Sequence, residues 1–370
     1  MTVWMLAIFY AVCFLPIVVI FAILPYIGRR TLSFGVSIPS GEFNDGELVR
    51  LRKKFAAGVV AYGALFTAAY AILLLFVSTG AAVYCMSAIL LIYLVLVYAM
   101  YVKMWRRVKA IKENRGWQAA HEVMVADTRF QKKRNAVSPA WFIGFAVIIL
   151  ATVLIGLLLY DSMPDRIVQK YDFQGNAVQT APKSVGLIFF APAVQAAMAV
   201  IFAFVYWMLL RTPPVLDPDN PEATSRQNAV FRYRWSAYIM FGGMIMLLVF
   251  LVMQLGFTQV AGLDIQLWTP VIGAGALIIG AVALGVTTGQ SGSRVKAGKK
   301  AEGRVVRRDD DRYWKWGVIY VNKDDPALFV EKRFGIGFTI NFGRPAAALI
   351  IVGLILLVAA ASIIPALLIE

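Results

Sequence analysis

Residues 76–109 read FVSTGAAVYCMSAILLIYLVLVYAMYVKMWRRVK, and the fold class turns on them. From residue 82 to residue 102 no side chain carries a charge, and about 20 apolar residues suffice to cross a bilayer as a helix. Upstream, only a few residues around Ser78-Thr79-Gly80 separate this run from another apolar run, which predicts a tight helical hairpin. Downstream come Lys103, Arg106, Arg107 and Lys109, the basic flank that marks the cytoplasmic end of a membrane helix.

The same pattern recurs along the chain. Apolar runs at roughly 3–27, 55–79, 82–102, 141–160, 185–210, 236–258, 267–289 and 346–369 predict eight transmembrane helices, and none contains Asp, Glu, Lys, Arg or His. Composition agrees: of 370 residues 60% are hydrophobic and 15% charged, against about 45–50% and about 25% in soluble domains. The expected fold class is therefore an all-α integral membrane bundle, with a small β-leaning cytoplasmic element before the last helix.

Charge sets the orientation. The segments 28–54, 103–140, 211–235 and 290–345 hold 33 of the 36 lysines and arginines. The other three, Arg166, Lys170 and Lys183, lie in the loop 161–184 between the fourth and fifth runs. Alternate loops are thus cytoplasmic by the positive-inside rule, and with eight crossings both termini, in 1–27 and 346–370, fall outside. The first run has no basic residue before Trp4 and Arg29-Arg30 after it, so it reads as a retained anchor and not as a cleaved signal peptide. The net charge of +15 becomes a cytoplasmic collar facing anionic lipid headgroups, with no nucleic-acid partner.

Several chemistries are excluded. Cys13 and Cys85 lie in apolar runs and His121 is the only histidine, so neither a disulfide framework nor a multi-histidine metal centre is expected. Proton pumps, ion-coupled transporters and intramembrane proteases place ionisable groups at membrane depth, where this chain has Gln195, Gln254 and tyrosines such as Tyr62, Tyr70, Tyr93 and Tyr98. Those groups predict hydrogen bonds between helices; a substrate path lined by tyrosines and Gln195 is the alternative. Ala276 and Gly280 form a small-xxx-small pair suited to close helix packing.

The non-spanning segments carry the remaining information. In 103–140, Trp105, Val108 and Ile111 share a helical face beside basic residues, which predicts an interfacial helix, with Trp117 and His121 four apart. Residues 291–308 are expected to be a mobile linker. Beyond it, WGVIYVN (316–322), LFVEKRF (328–334) and IGFTINF (336–342) read as strands separated by turns. Phe34 and Ile38 are expected on the same patch, and Phe338, Phe342 and Arg344 at headgroup level. The acids Asp309, Asp310, Asp311, Asp324, Asp325 and Glu331 could hold Mg²⁺. Yet no P-loop, dinucleotide fingerprint or Ser-His pair accompanies them, so no catalytic residue, metal or cofactor is assigned. The segment is expected to cap the helix ends or to dock a partner or lipid headgroup.

Two resemblances add to this. The stretch from Tyr160-Asp161 to Pro182-Lys183-Ser184, with the apolar run after it, resembles a domain of unknown function of bacterial membrane proteins. That domain also occurs in the SDP-toxin immunity protein family. Pro164, Asp165, Ile167, Tyr171, Asp172, Gly175, Pro182, Lys183 and Ser184 carry the match. Val168-Gln169-Lys170 stands where that family commonly has Pro-x-His, so no histidine role transfers. Residues 33–55 and 309–345 resemble a second uncharacterised domain, marked by WKWG, DDP and KR-x-G-x-G.

The resemblance implies a bacterial cytoplasmic-membrane protein of immunity or signalling type, not an enzyme. Outside, Asp172, Gly175, Asn176 and Lys183 would meet a peptide, toxin or envelope ligand. Inside, Trp314, Trp316, Asp324, Asp325, Lys332 and Arg333 would dock a protein partner. A permease for an amphiphilic substrate and a cation-dependent enzyme acting on lipid headgroups are the alternatives.

Overall fold

The computed structural model of the chain describes residues 3–117, 135–171, 177–214, 221–258, 260–295 and 310–367. Its helices are α1 (Val3–Ile27), α2 (Gly46–Leu73), α3 (Thr79–Asn114), α4 (Phe142–Leu158), α5 (Val185–Arg211), α6 (Pro221–Phe257), α7 (Leu263–Thr288) and α8 (Pro345–Leu367). Asp45 starts α2, its carboxylate accepting from the Glu47 and Leu48 amides at 2.9 and 3.3 Å, and Ser78 starts α3 by accepting from the Ala81 amide. Such caps satisfy amide groups that a first helical turn leaves without partners.

Among the described residues, seven helices are long and apolar enough to cross a membrane. The sequence predicts eight. Among the described residues the last one, α8, counts as a shorter apolar helix over Pro345–Ala361. Two helices also begin earlier than their apolar runs: residues 46–54 and 221–235 are helical, because a helix continues through amphipathic sequence without a break. α3 behaves likewise at its other end, running through Lys103–Asn114 for 36 residues in all, or about 54 Å.

The helices form two groups. α1, α2 and α3 pack together around Tyr10, Phe14, Phe55, Val59, Tyr70 and Tyr93, with Tyr10 stacked on Tyr70 at 4.2 Å. α4, α5, α6 and α7 form the second, α8 lies on α5, and α1 against α7 joins the groups. Inside the second group, Gln195 is fully buried and its amide donates to Thr152 Oγ1 at 3.0 Å and to the Leu247 carbonyl at 2.8 Å. Gln254 donates to the Ile188 carbonyl at 3.3 Å. Gly280 lets Tyr238 lie against α7, where a Cβ would stand 3.1 Å from its ring, and Tyr238 donates to the Leu277 carbonyl at 2.5 Å.

Short strands occupy the two ends. Between α4 and α5, β3 (Arg166–Tyr171) pairs antiparallel with β4 (Ala177–Pro182), with register shifts between Val168 and Tyr171. At the opposite end, β1 (Leu32–Ser33) pairs with β2 (Val36–Ser37), β5 (Trp314–Lys315) with β6 (Ile319–Tyr320), and β7 (Phe329–Glu331) with β8 (Phe338–Ile340). A bridge between Tyr320 and Asn341 links the last two hairpins. WGVIYVN is therefore not one strand: Trp316 and Gly317 have φ of 51° and 71°, and this left-handed pair turns the chain back on itself. His121 and most of the linker 291–308 lie outside the described residues; Gln290, Ser291 and Gly292 form a buried 3₁₀ turn after α7.

Candidate functional site

Two tight turns meet face to face at the end that carries β1–β2 and residues 310–343. Residues 32–38 are buried throughout. Their turn, Phe34-Gly35, has φ of 46° and 78°, the left-handed geometry that closes a two-residue hairpin. A Cβ on Gly35 would stand 2.5 Å from the Gly317 carbonyl oxygen, and one on Gly317 would stand 2.8 Å from Trp105 and from the Tyr101 hydroxyl. Only glycines allow this approach. Tyr101, from α3, donates between the turns, with its hydroxyl 3.2 Å from the Phe34 carbonyl and 3.1 Å from that of Trp316. Phe334 fills the space beside them, 4.3 Å from the Tyr101 ring and 6.0 Å from Phe34.

Charges tie the same segments. Asp311 accepts from the Ser37 amide at 3.2 Å, its hydroxyl at 2.8 Å, the Lys112 ammonium at 2.6 Å and the Arg333 guanidinium. Arg333 also pairs with Asp310, donates to the Gly35 carbonyl at 3.2 Å and lies 5.0 Å over the Trp314 ring. Desolvation pushes the Asp311 carboxyl up, but the Arg333 and Lys112 charges more than reverse this and hold it below the ordinary carboxylate range. A second lock joins Arg29 and Ser291 to Glu331, while Gln290 donates to the Gly337 carbonyl and accepts from its amide. Phe329 packs on Phe204 and Trp207 of α5, and Phe338 on Phe231 of α6. One small module thus clamps both helix groups.

The six residues expected to dock a partner divide evenly. Trp314, Asp325 and Arg333 face inward: Trp314 is buried, and Asp325 accepts from the Tyr320 hydroxyl at 2.8 Å and the Ala327 amide at 2.8 Å. Burial pushes the Tyr320 hydroxyl well above its ordinary pKa, so it stays a donor. Trp316, Asp324 and Lys332 are exposed. Among the described residues, no group of three His, Cys, Asp or Glu side chains could hold a metal ion. Sequence reasoning missed Ser37, Lys112, Arg29, Gln290 and Asn341, which complete the clamp. Lys112 was in principle detectable, since it lies four residues after Val108 and so on the same face of the helix as that apolar residue.

The hairpin end is built differently. Met163, Ile167, Leu187 and Ile188 form a small buried cluster that roots β3–β4 on α5. Lys183 stands at the base: its ammonium lies 3.3 Å from the carbonyls of Asp161 and Met163 and 4.6 Å over the Tyr160 ring. It therefore braces the hairpin. Ala177, Val178, Gln179 and Thr180 are exposed, and among the described residues each strand has a single partner strand. Asp172, Gly175 and Asn176 lie outside the described residues.

Comparison with known proteins maps onto these two ends. Residues 147–196, covering most of α4, the hairpin and the first half of α5, match a domain of unknown function (DUF1648). Residues 323–347, from the turn after β6 to the start of α8, match a family of unknown function (DUF5808). Neither description assigns an activity, toxin immunity included. No curated protein and no solved structure matches the chain.

Proposed function

We propose that this chain is a non-enzymatic receptor of the bacterial cytoplasmic membrane, of immunity or signalling type, whose β3–β4 hairpin captures an extended segment of a peptide toxin or envelope ligand. The observation that carries this reading is the exposed run Ala177–Thr180 on a two-stranded sheet. Unpaired strand edges are templates for an added strand, with main-chain hydrogen bonds for affinity and alternate side chains for selectivity. Val178, 60% exposed, is an apolar contact ready for such a strand.

In this reading α8 is an eighth crossing. Its 23 described residues span about 35 Å as a helix, enough for a hydrocarbon core of about 30 Å. Both termini and the hairpin then face outward, and the clamp faces the cytoplasm, where Trp316, Asp324 and Lys332 hold a protein partner. The distribution of lysine and arginine supports this sidedness.

Cells lacking the chain should become sensitive to one specific envelope agent. Val178→Asp should reproduce that loss while the protein remains at wild-type level in the membrane. Unchanged resistance across a broad panel of peptide toxins and envelope-active agents rejects the receptor reading. Sidedness has its own test: an impermeant thiol reagent added to intact cells should label Val178→Cys and spare Asp324→Cys, and the reverse pattern inverts the topology.

A further inference from the structure

Where the turn after β6 meets α8, the surface opens into a cavity of about 600 Å³, within the ~300–1,000 Å³ typical of ligand sites. Lys323 and Arg344 line it with positive charge; Phe342, Pro345, Ala348 and Ile351 line it with apolar surface. Among the described residues, neither cation makes an ion pair, whereas Arg29, Lys112 and Arg333 are all paired with acids. These are two free positive charges at the mouth of an apolar slot.

Their spacing is built in. Asn341 is fully buried, and its amide donates to the Asn322 carbonyl at 2.8 Å and the Ala327 carbonyl at 3.1 Å. The Asn341 side-chain oxygen accepts from the amides of Asn322 and Gly343, both at 3.0 Å. Gly343 sits so close that a Cβ there would stand 2.5 Å from the Asn322 carbonyl carbon. The backbone beside Lys323 is thereby pinned against the segment that carries Arg344. Beyond the cavity, Leu349, Val352 and Ile355 continue the apolar surface down α8, 75%, 53% and 62% exposed. Charge thus gives way to apolar surface along α8, away from the residues 310–343.

We propose that this cavity is a binding site for an anionic phospholipid, with the phosphate between Lys323 and Arg344 and the first acyl carbons along Ala348 and Ile351. Charge complementarity selects an acidic headgroup, and the apolar wall selects a lipid over free phosphate. The site requires α8 to lie in the bilayer, as in the reading above. It depends neither on the ligand of the hairpin nor on which side of the membrane the clamp faces.

The test uses the full chain in phosphatidylcholine nanodiscs containing a minority of phosphatidylglycerol, with retained lipid counted by native mass spectrometry. Wild type should retain phosphatidylglycerol selectively, and excess inorganic phosphate should not displace it. Lys323→Gln and Arg344→Gln should each lower retention about fivefold, the weight of one basic residue near an anionic surface. Ala348→Trp should lower it with no change of charge, while Lys54→Gln, at an exposed cation on α2, should leave it at the wild-type level. Melting temperatures in neutral detergent check that the variants are folded. Equal loss in Lys54→Gln, full retention in the Lys323→Gln/Arg344→Gln pair, or displacement by phosphate would each overturn the site.

Discussion

The two ends of this molecule are built on opposite terms. At one end, segments far apart in sequence (residues 29–38, Tyr101 and Lys112 of α3, the turn at 290–292 and residues 310–343) are joined by buried ion pairs and paired glycines. At the other, one hairpin stands on four buried apolar side chains and a lysine brace. Dense buried contacts give high local stability and few of them give low local stability. The clamp end is therefore suited to keeping one shape, and the hairpin end leaves backbone edges and an apolar side chain free to meet something else.

The contrast breaks first at the glycines. Gly35→Ala forces a side chain into a left-handed backbone and against the Gly317 carbonyl, at about 2–5 kcal/mol for strain and overpacking together. Folded yield in detergent should fall sharply, and a melting temperature equal to wild type would mean that the two turns do not touch. Next comes Asp311→Asn, which leaves Arg333 and Lys112 buried without their shared carboxylate. Removing one partner of a buried pair costs about 3–5 kcal/mol. A double-mutant cycle with Lys112→Met should show coupling of at least about 1 kcal/mol, and additive effects would dissolve the proposed hub.

The sequence discloses these ends unequally. Helices were legible because charge-free runs of membrane length and alternating basic loops are strong, local signals. Phe34 could be placed beside the 310–343 segment because both lie on the basic side of the chain. The clamp itself was hidden: Asp310 and Asp311 read as solvated acids or cation ligands, and nothing local announces that Arg333 and Lys112, 22 and 199 residues from Asp311, neutralise them. The break in WGVIYVN was concealed by its apolar residues, which favour a strand, while the left-handed pair that decides otherwise, Trp316-Gly317, turns on the contact of Gly317 with the distant Gly35. For α8 the apolar run suggests a crossing, and the described helix runs for 23 residues.

A smaller effect follows from acid. The Asp311 carboxyl has a folded pKa below its ordinary 3.8, so it contributes stability fully above that value and loses it as pH falls through the folded pKa. Between neutrality and about pH 5 the difference in melting temperature between wild type and Asp311→Asn should stay constant. Below pH 3.8 it should shrink. A gap that already closes near about pH 6 would assign the titration to some other group.

The smallest stability change should come from the hairpin, and its smallness is what makes it informative. Val178 is 60% exposed, and surface substitutions away from buried features shift stability by no more than about 0.5 kcal/mol. Val178→Asp should therefore melt with wild type. If the free strand edge is where a ligand is held, the same substitution should abolish protection of cells by placing a charge on an apolar contact beside that edge. Loss of stability together with loss of protection would move the hairpin into the class of the clamp, as a structural element. Loss of protection alone keeps the two ends distinct, because a binding surface can lose its function without loosening the bundle that carries it.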